Sequence, residues 1–303
     1  MGAGIKIVPK ILAPGSGNQL FQLSFAHYLN QLIPDSQVYH FGIPELGIAA
    51  HPEYASIKSC EPTLRLSGQD YGLGELDISA LSKSTSIIST TALGMHIKYF
   101  AGSREFLRSL ISNDLMRHET KVKNFSSNNF ICHIRGSDIW EKFPMSIPGK
   151  KFQMRLLLRK NLIHPDYSGL PLSFYEEIAN LSGKIPIFLV ERASPKWYVN
   201  LIAERFGQNS IIFSGTVARD FHMMMNAPEV ALGISTFSWM AAFLGEANIV
   251  HFPMKGLFDP ASRGDLDLSM PNSGLSKYIF SPHKWKGNRS DKLWLESGAT
   301  QKL

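Results

Sequence analysis

The sequence predicts an α/β protein in which parallel strands are covered by crossover helices. Two observations in the second half carry this: short β-branched and apolar runs recur, and amphipathic stretches at helical spacing stand between them. A third lies near the start, where an extended run passes through a glycine turn into a helix. At 303 residues, 44% hydrophobic and 18% charged, the chain can bury a full core, and its length allows one large domain or two ordinary ones.

Taken in order, residues 5–12 read as a strand, Ala13-Pro14-Gly15-Ser16-Gly17 as a turn and 18–33 as a helix. Phe21, Phe25, Tyr28, Leu29 and Leu32 share one helical face, which packs on the strand and leaves the helix N-terminus at the sheet's carboxyl edge. Residues 51–93, rich in Gly, Pro and Ser, predict long loops with short strands. The polar segment 121–129 separates two patterned halves and marks a boundary between lobes 1–125 and 126–290. In the second lobe, strands are expected at 130–134, 185–190, 210–213, 230–234 and 248–252, with helices at 172–181, 195–206, 219–226 and 237–246. That alternation is Rossmann-like. Ser194-Pro195 supplies a cap and a first-turn proline, and Gly207 and Gly245 stand near helix ends. Past Pro253 the pattern turns irregular, with Trp285 and Trp294 as anchors; 291–303 reads as a loosely held tail.

Composition excludes several classes. No run of about 18 apolar residues and no leader-like start occur, so a soluble, cytoplasmic protein is expected. Cys60 and Cys132 form no CxxC, and Cys132, inside an apolar run, reads as a buried thiol in a reducing compartment. The net charge of +6 favours an anionic ligand but falls short of a nucleic-acid footprint. The ten histidines form no HxxxH or HxH pair, leaving a transition-metal site little support.

Three constellations carry chemistry. In Gly15-Ser16-Gly17-Asn18-Gln19-Leu20, a glycine turn opens a helix, where free N–H groups and the helix dipole favour an anion; the plainer reading is a βα turn capped by Asn18. Leu20 stands at the third glycine of GxGxxG and no GK[ST] follows, which disfavours nicotinamide cofactors and removes P-loop enzymes. In His133-Ile134-Arg135-Gly136-Ser137-Asp138, alternation places His133 and Arg135 on one strand face with Asp138 just beyond. Arg135 then either grips a phosphate or forms a structural pair with Asp138. In Gly233-Ile234-Ser235-Thr236-Phe237-Ser238-Trp239, Ser235 or Thr236 caps a helix whose N-terminus can also receive a diphosphate. Phe237 breaks GxSxG, so a hydrolase nucleophile is disfavoured. Asp265-Leu266-Asp267 comes late and reads as a surface turn. Lys151, Arg155 and Arg159 fall on one helical stripe, read as a solvated face or as peripheral attraction to an anionic membrane.

GSGNQLFQLSFAHYL, HIRGSD, HPDYSGLPLSFYEE and RDFHMMMNAPEVALGISTFSWMAAFLGEA, in that order, resemble the bacterial α-1,2-fucosyltransferases and the wider fucosyltransferase clan. The resemblance implies two Rossmann-like lobes of GT-B type, with the donor site in the cleft between them and the first lobe on the acceptor side. It further implies GDP-fucose as donor substrate, inversion at the anomeric carbon, no metal and no cofactor. The expected acceptor is a glycan or lipid-linked oligosaccharide; a lipid-linked one would go with the reading of the basic stripe as peripheral contact of a cytoplasmic enzyme with the inner membrane face. Arg135 would contact the donor phosphates and His133 support the donor. Ser235, Thr236, Phe237 and Ser238 would line the diphosphate site, and Gly15, Gly17, Asn18 and Gln19 would face the cleft. Asp138, with Glu141 the other acid near the motif, is the candidate base, although an oxocarbenium-like transition state leaves a base little work. The chain departs from the family at Gly136, where a second arginine is usual, and at Trp239-Met240, where paired tryptophans are usual. The first departure keeps open a different nucleotide sugar, and fold alone leaves room for a non-catalytic sugar- or nucleotide-binding protein.

Overall fold

The apolar runs assemble into two parallel sheets in the computed structural model, which describes residues 4–11, 15–66, 86–111, 127–136, 139, 166–192, 194–270, 274–286 and 289–303. The first sheet has four strands in the order β2-β1-β4-β3: β1 (Ile5–Pro9), β2 (Ser36–Val38), β3 (Leu64–Leu66) and β4 (Ile87–Thr90), all parallel. Helix α1 (Ser16–Leu32) crosses from β1 to β2, burying Phe25, Ala26 and Leu29 against Ile5, Ile7 and Ile88. Among the described residues, this lobe also holds the short helices α2 (Tyr54–Ile57), α3 (Ile97–Phe100) and α4 (Arg104–Leu110).

The second sheet has seven strands in the order β11-β10-β9-β8-β5-β6-β7. These are β5 (Asn129–Ile134), β6 (Ile185–Val190), β7 (Ile211–Phe213), β8 (Glu229–Ala231), β9 (Ile249–Pro253), β10 (Gly274–Phe280) and β11 (Thr300–Lys302). All pair in parallel except β11, which runs antiparallel to β10. The helices are α5 (Leu172–Ser182), α6 (Lys196–Phe206), α7 (Val217–Met225), α8 (Thr236–Leu244) and α9 (Arg289–Ser297). The strand expected at 185–190 has those bounds.

Differences from the sequence reading have local causes. Helix α1 starts at Ser16 with Gly15 at its N-cap position, so Asn18 is not the cap. Pro195 occupies the N-cap position of α6, leaving Ser194 outside it. Helix α7 begins at Val217 because the Thr216 hydroxyl accepts the Arg219 N–H at 3.2 Å. Strand β8 stops at Ala231, since the following residues leave the ladder to present Ser235 as the cap of α8. The tail 291–303 is not loosely held: Asp291, Trp294 and Leu295 are buried and β11 extends the sheet. Trp294 packs on Phe280 and donates through Nε1 to Ser281, which fixes that end.

The lobes share one core. Leu20, Phe21 and Leu23 of α1 belong to the same buried cluster as Trp239, Met240 and Phe243 of α8. The Phe21 and Phe100 rings lie 5.0 and 4.8 Å from Trp239, centroid to centroid, and the indole N–H donates to the Leu268 carbonyl at 2.9 Å. Guanidinium groups from α4 grip the far end of α8: Arg104 Nε donates to Phe243 O at 2.9 Å and Arg108 Nη1 to Leu244 O at 3.1 Å. Cations and donors there satisfy the carbonyls that a helix end leaves unpaired. At the amino edge of the second sheet, buried Glu229 pairs with Lys184 and with His251 Nε2 at 2.7 Å, and His251 Nδ1 meets Tyr278 Oη at 2.9 Å. Cys132 is buried, and burial with nearby Glu229 pushes its thiol pKa well up. Among the described residues, no helix is long and apolar enough to cross a membrane.

Because the junction is a continuous core, Phe21→Ala is expected to lower stability by about 3–5 kcal/mol. Denaturant unfolding followed by tryptophan fluorescence and by circular dichroism should show one shared, shifted transition. Two separate transitions, with only one displaced, would show that the lobes fold independently.

Candidate functional site

The sheet order places a topological switch point between β5 and β8. From β5 the chain builds outward through β6 and β7, then returns to β8 on the other side of β5. Loops leaving β5 and β8 therefore diverge at the carboxyl edge and open a crevice, the usual ligand position in open parallel sheets. Here the crevice is a cleft of about 750 Å³ to which the first lobe contributes Gly15, Ser16, Gly17, Asn18 and Glu45.

Two helices of different lobes start at this cleft. Gly17 lets them touch: a Cβ there would fall 2.5 Å from both Phe237 N and Thr236 C. The N-termini of α1 and α8 are thus adjacent, and their unpaired N–H groups and dipoles favour an anion between them. The Ser235 hydroxyl caps α8 by accepting the Phe237 N–H at 3.2 Å. Asn18 Oδ1 is buried with no hydrogen-bond partner among the described residues.

Strand β5 delivers His133 and Arg135 to the same cleft. The Arg135 guanidinium carbon lies 3.9 Å from the centre of the Tyr167 ring, and Nη1 is 3.4 Å from the Ile234 carbonyl. Stacking on an aromatic face fixes the plane of the fork that binds phosphate oxygens in pairs. His133 is 2% exposed; its Nε2 is 3.5 Å from Glu191 Oε1, and its Nδ1 has no hydrogen-bond partner among the described residues.

Glu191 follows β6 directly and lines the cleft, and its Oε2 accepts the Gly136 N–H at 2.9 Å. Burial opposes its ionisation, but hydrogen bonding and charge from His133, the Gly136 amide and Arg135 outweigh this and hold its pKa below the ordinary value. The same packing explains Gly136. A Cβ at this position would stand 2.7 Å from Glu191 Cβ and 3.1 Å from Ser194 N, so a longer side chain has no room.

Of the residues expected from sequence, Gly15, Gly17, Asn18, His133, Arg135, Ser235, Thr236 and Phe237 line this one cleft. Gln19 and Ser238 do not. Gln19 is buried behind the turn, and Ser238 is fully buried with its hydroxyl donating to Gly233 O at 3.0 Å and Ser235 O at 3.1 Å, which makes it a brace for the β8–α8 turn. Asp138, Glu141 and the basic stripe of Lys151, Arg155 and Arg159 lie outside the described residues. Sequence reasoning missed Glu191, exposed Arg192, Tyr167 and Asp220, all of which line the cleft. The signal for Glu191 was an acid directly after a wholly apolar run, which marks the carboxyl end of a strand. Asp265 of the late DxD is held at both oxygens by Arg263, at 2.9 and 2.8 Å, and Arg263 also pairs with Asp166.

Gly136→Ala is expected to lower stability by about 1–3 kcal/mol through forced movement of the Glu191 loop, and Gly136→Arg by more. Chemical denaturation of both variants checks this; an unchanged midpoint for Gly136→Arg would mean that the loop yields freely. No protein-family model matches the chain and no curated protein sequence matches it significantly, so the chemistry of the cleft rests on its own residues.

Proposed function

We propose that this protein is an inverting, metal-independent glycosyltransferase of GT-B type that moves L-fucose from GDP-fucose to a hydroxyl of a glycan. The observation that carries the proposal is the convergence of two helix N-termini and Arg135 on one switch-point cleft. A sugar-nucleotide transfer without a metal needs this arrangement, because the charge that develops on the departing diphosphate must be met by fixed donors. Arg135 supplies the planar two-point contact, and the first N–H groups of α1 and α8 supply the rest. Each well-placed donor is worth about 3 kcal/mol in the transition state. The acceptor is assigned to the first lobe's side of the cleft, the side that the resemblance to fucosyltransferases gives it. Asp138, an acid of the HIRGSD motif itself, keeps the role of candidate base.

A second reading, transfer from another nucleotide sugar, is favoured by one observation. At the position of the family's second arginine, Gly136 is packed against an ionised carboxylate, so the motif presents a single guanidinium. Arg192, with Nε donating to Ser214 O at 3.2 Å, adds positive charge at the cleft from a different strand. Calorimetric titration with GDP, UDP and CDP decides between the readings. GDP binding tightest supports the GDP-sugar donor, and tighter UDP or CDP replaces it.

The mechanism is tested by Arg135→Ala. Charge builds on the diphosphate as the bond breaks, so turnover should fall by roughly a hundredfold or more, well beyond any loss in ground-state donor binding. Arg135→Lys should rescue poorly, since an ammonium does not reproduce the planar contact. A purely structural Arg135 predicts a lower melting temperature with normal turnover of the folded fraction.

Chelation is expected to leave transfer intact, because Asp265 of the chain's DxD is already engaged by Arg263 and cationic groups stand at the diphosphate position. Loss of transfer in EDTA, restored by magnesium or manganese, would overturn this part of the mechanism.

A further inference from the structure

Glu191 has no part in the leaving-group chemistry described above, yet it is the carboxylate best placed in the cleft. It stands one residue beyond β6, the strand next to β5 in the sheet and, among the described strands, the one that follows it in the chain. In a mononucleotide-binding half, phosphates sit at the helix N-terminus near the switch point, and the nucleoside extends past the end of the second strand. An acidic side chain at that strand end is placed to meet the sugar.

Its surroundings leave it suited to that contact. Oε2 is anchored by the Gly136 N–H at 2.9 Å, which fixes the direction of the carboxylate. Oε1 meets His133 Nε2 at 3.5 Å, a long and weak contact that leaves acceptor capacity, and the side chain remains 34% exposed. Leu189 and Val217 give the cleft an apolar wall beside it, suited to a planar base. A carboxylate only accepts hydrogen bonds, and a ribose cis-diol offers two O–H donors. The competing role, proton acceptor for the attacking hydroxyl, fits less well: neighbouring groups already stabilise the anion and so weaken it as a base.

We propose that Glu191 is the ribose-recognising carboxylate of this site, accepting hydrogen bonds from the 2′- and 3′-hydroxyls of a bound ribonucleoside diphosphate. This rests on the nucleotide reading of the cleft given above.

The test is calorimetric titration of the full chain with GDP, 2′-deoxy-GDP and 3′-deoxy-GDP, repeated on Glu191→Gln. For the unmodified protein, loss of either hydroxyl should weaken binding by about tenfold, the usual size of a hydrogen bond to a charged group. In Glu191→Gln, GDP should bind at least as weakly as either deoxynucleotide binds the unmodified protein, with the discrimination sharply reduced because a neutral amide is the weaker acceptor. Should Glu191→Gln not fold, Glu191→Asp carries the same expectation, because it withdraws the charge by one methylene. Equal binding of GDP and both deoxynucleotides to the unmodified protein overturns the ribose assignment and leaves the nucleotide reading standing. Full discrimination retained by the folded variants also overturns it. Failure of GDP, UDP and CDP alike to bind overturns the nucleotide reading, and the role of Glu191 with it.

Discussion

The backbone contact between α1 and α8 at Gly17 is the constraint on which the rest of the molecule depends. Phe21 meets Trp239 one turn further along, so the helices run side by side from adjacent N-termini. Like ends of two helix dipoles repel, and each N-terminus carries roughly half a unit of positive charge. The arrangement is held by other forces. Aromatic burial at Phe21, Phe100, Trp239 and Phe243 supplies the attraction, and Arg104 and Arg108 neutralise the opposite end of α8. The residual positive potential is concentrated at the cleft, where an anion relieves it.

A second constraint acts inside the second lobe, between Gly136 and Glu191. The amide of Gly136 donates to the carboxylate, and the missing side chain makes room for it, so a side chain at 136 would displace Glu191. The turn after β5 is thereby tied to a tightly oriented anion at the end of the adjacent strand. Among the described lining residues, positive charge comes from Arg135 on the β5 side and Arg192 on the β6 side, with Glu191 beside Arg192 in sequence. This keeps the cleft attractive to anions while adding a fixed hydrogen-bond acceptor that a simple phosphate site lacks.

How much of this was legible in the sequence depended on whether the determinants were local. The run Ile185–Val190 is apolar throughout and bounded by polar residues, so it could only be a buried strand, and its bounds are as expected. Strands β2 and β3 are three residues each and owe their existence to pairing with β1 and β4. Strand β10, Gly274–Phe280, mixes polar and apolar residues because it lies near the sheet edge, and β11 is fixed by partners about twenty residues back, so both escaped a local reading. The site behaved alike. His133, Arg135 and Ser235 were legible because a polar cluster after an apolar run marks a strand's carboxyl end. Glu191 obeys the same rule, but it is far from the HIRGSD motif in sequence, and only the pairing of β6 with β5 brings the two together. Ser238 and Gln19 were misplaced because motif membership does not say which side of a helix turn faces the cleft.

The shared core also bears on how a ligand is received. Lobes joined by a thin, polar interface move as rigid bodies, and such sites are assembled by closure. Here any hinge between the lobes would have to part Phe21 from Trp239 and strip Arg104 and Arg108 from the end of α8. Opening would expose several aromatic side chains at once, each worth about 1.5–3 kcal/mol in burial. Helix starts, Arg135 and Glu191 are therefore held in place before anything binds. Donors fixed in advance require no reorganisation when charge develops, which is the condition under which they stabilise a transition state most. In this fold, preorganisation by the α1–α8 junction takes the place that domain closure holds in more loosely joined two-lobed proteins.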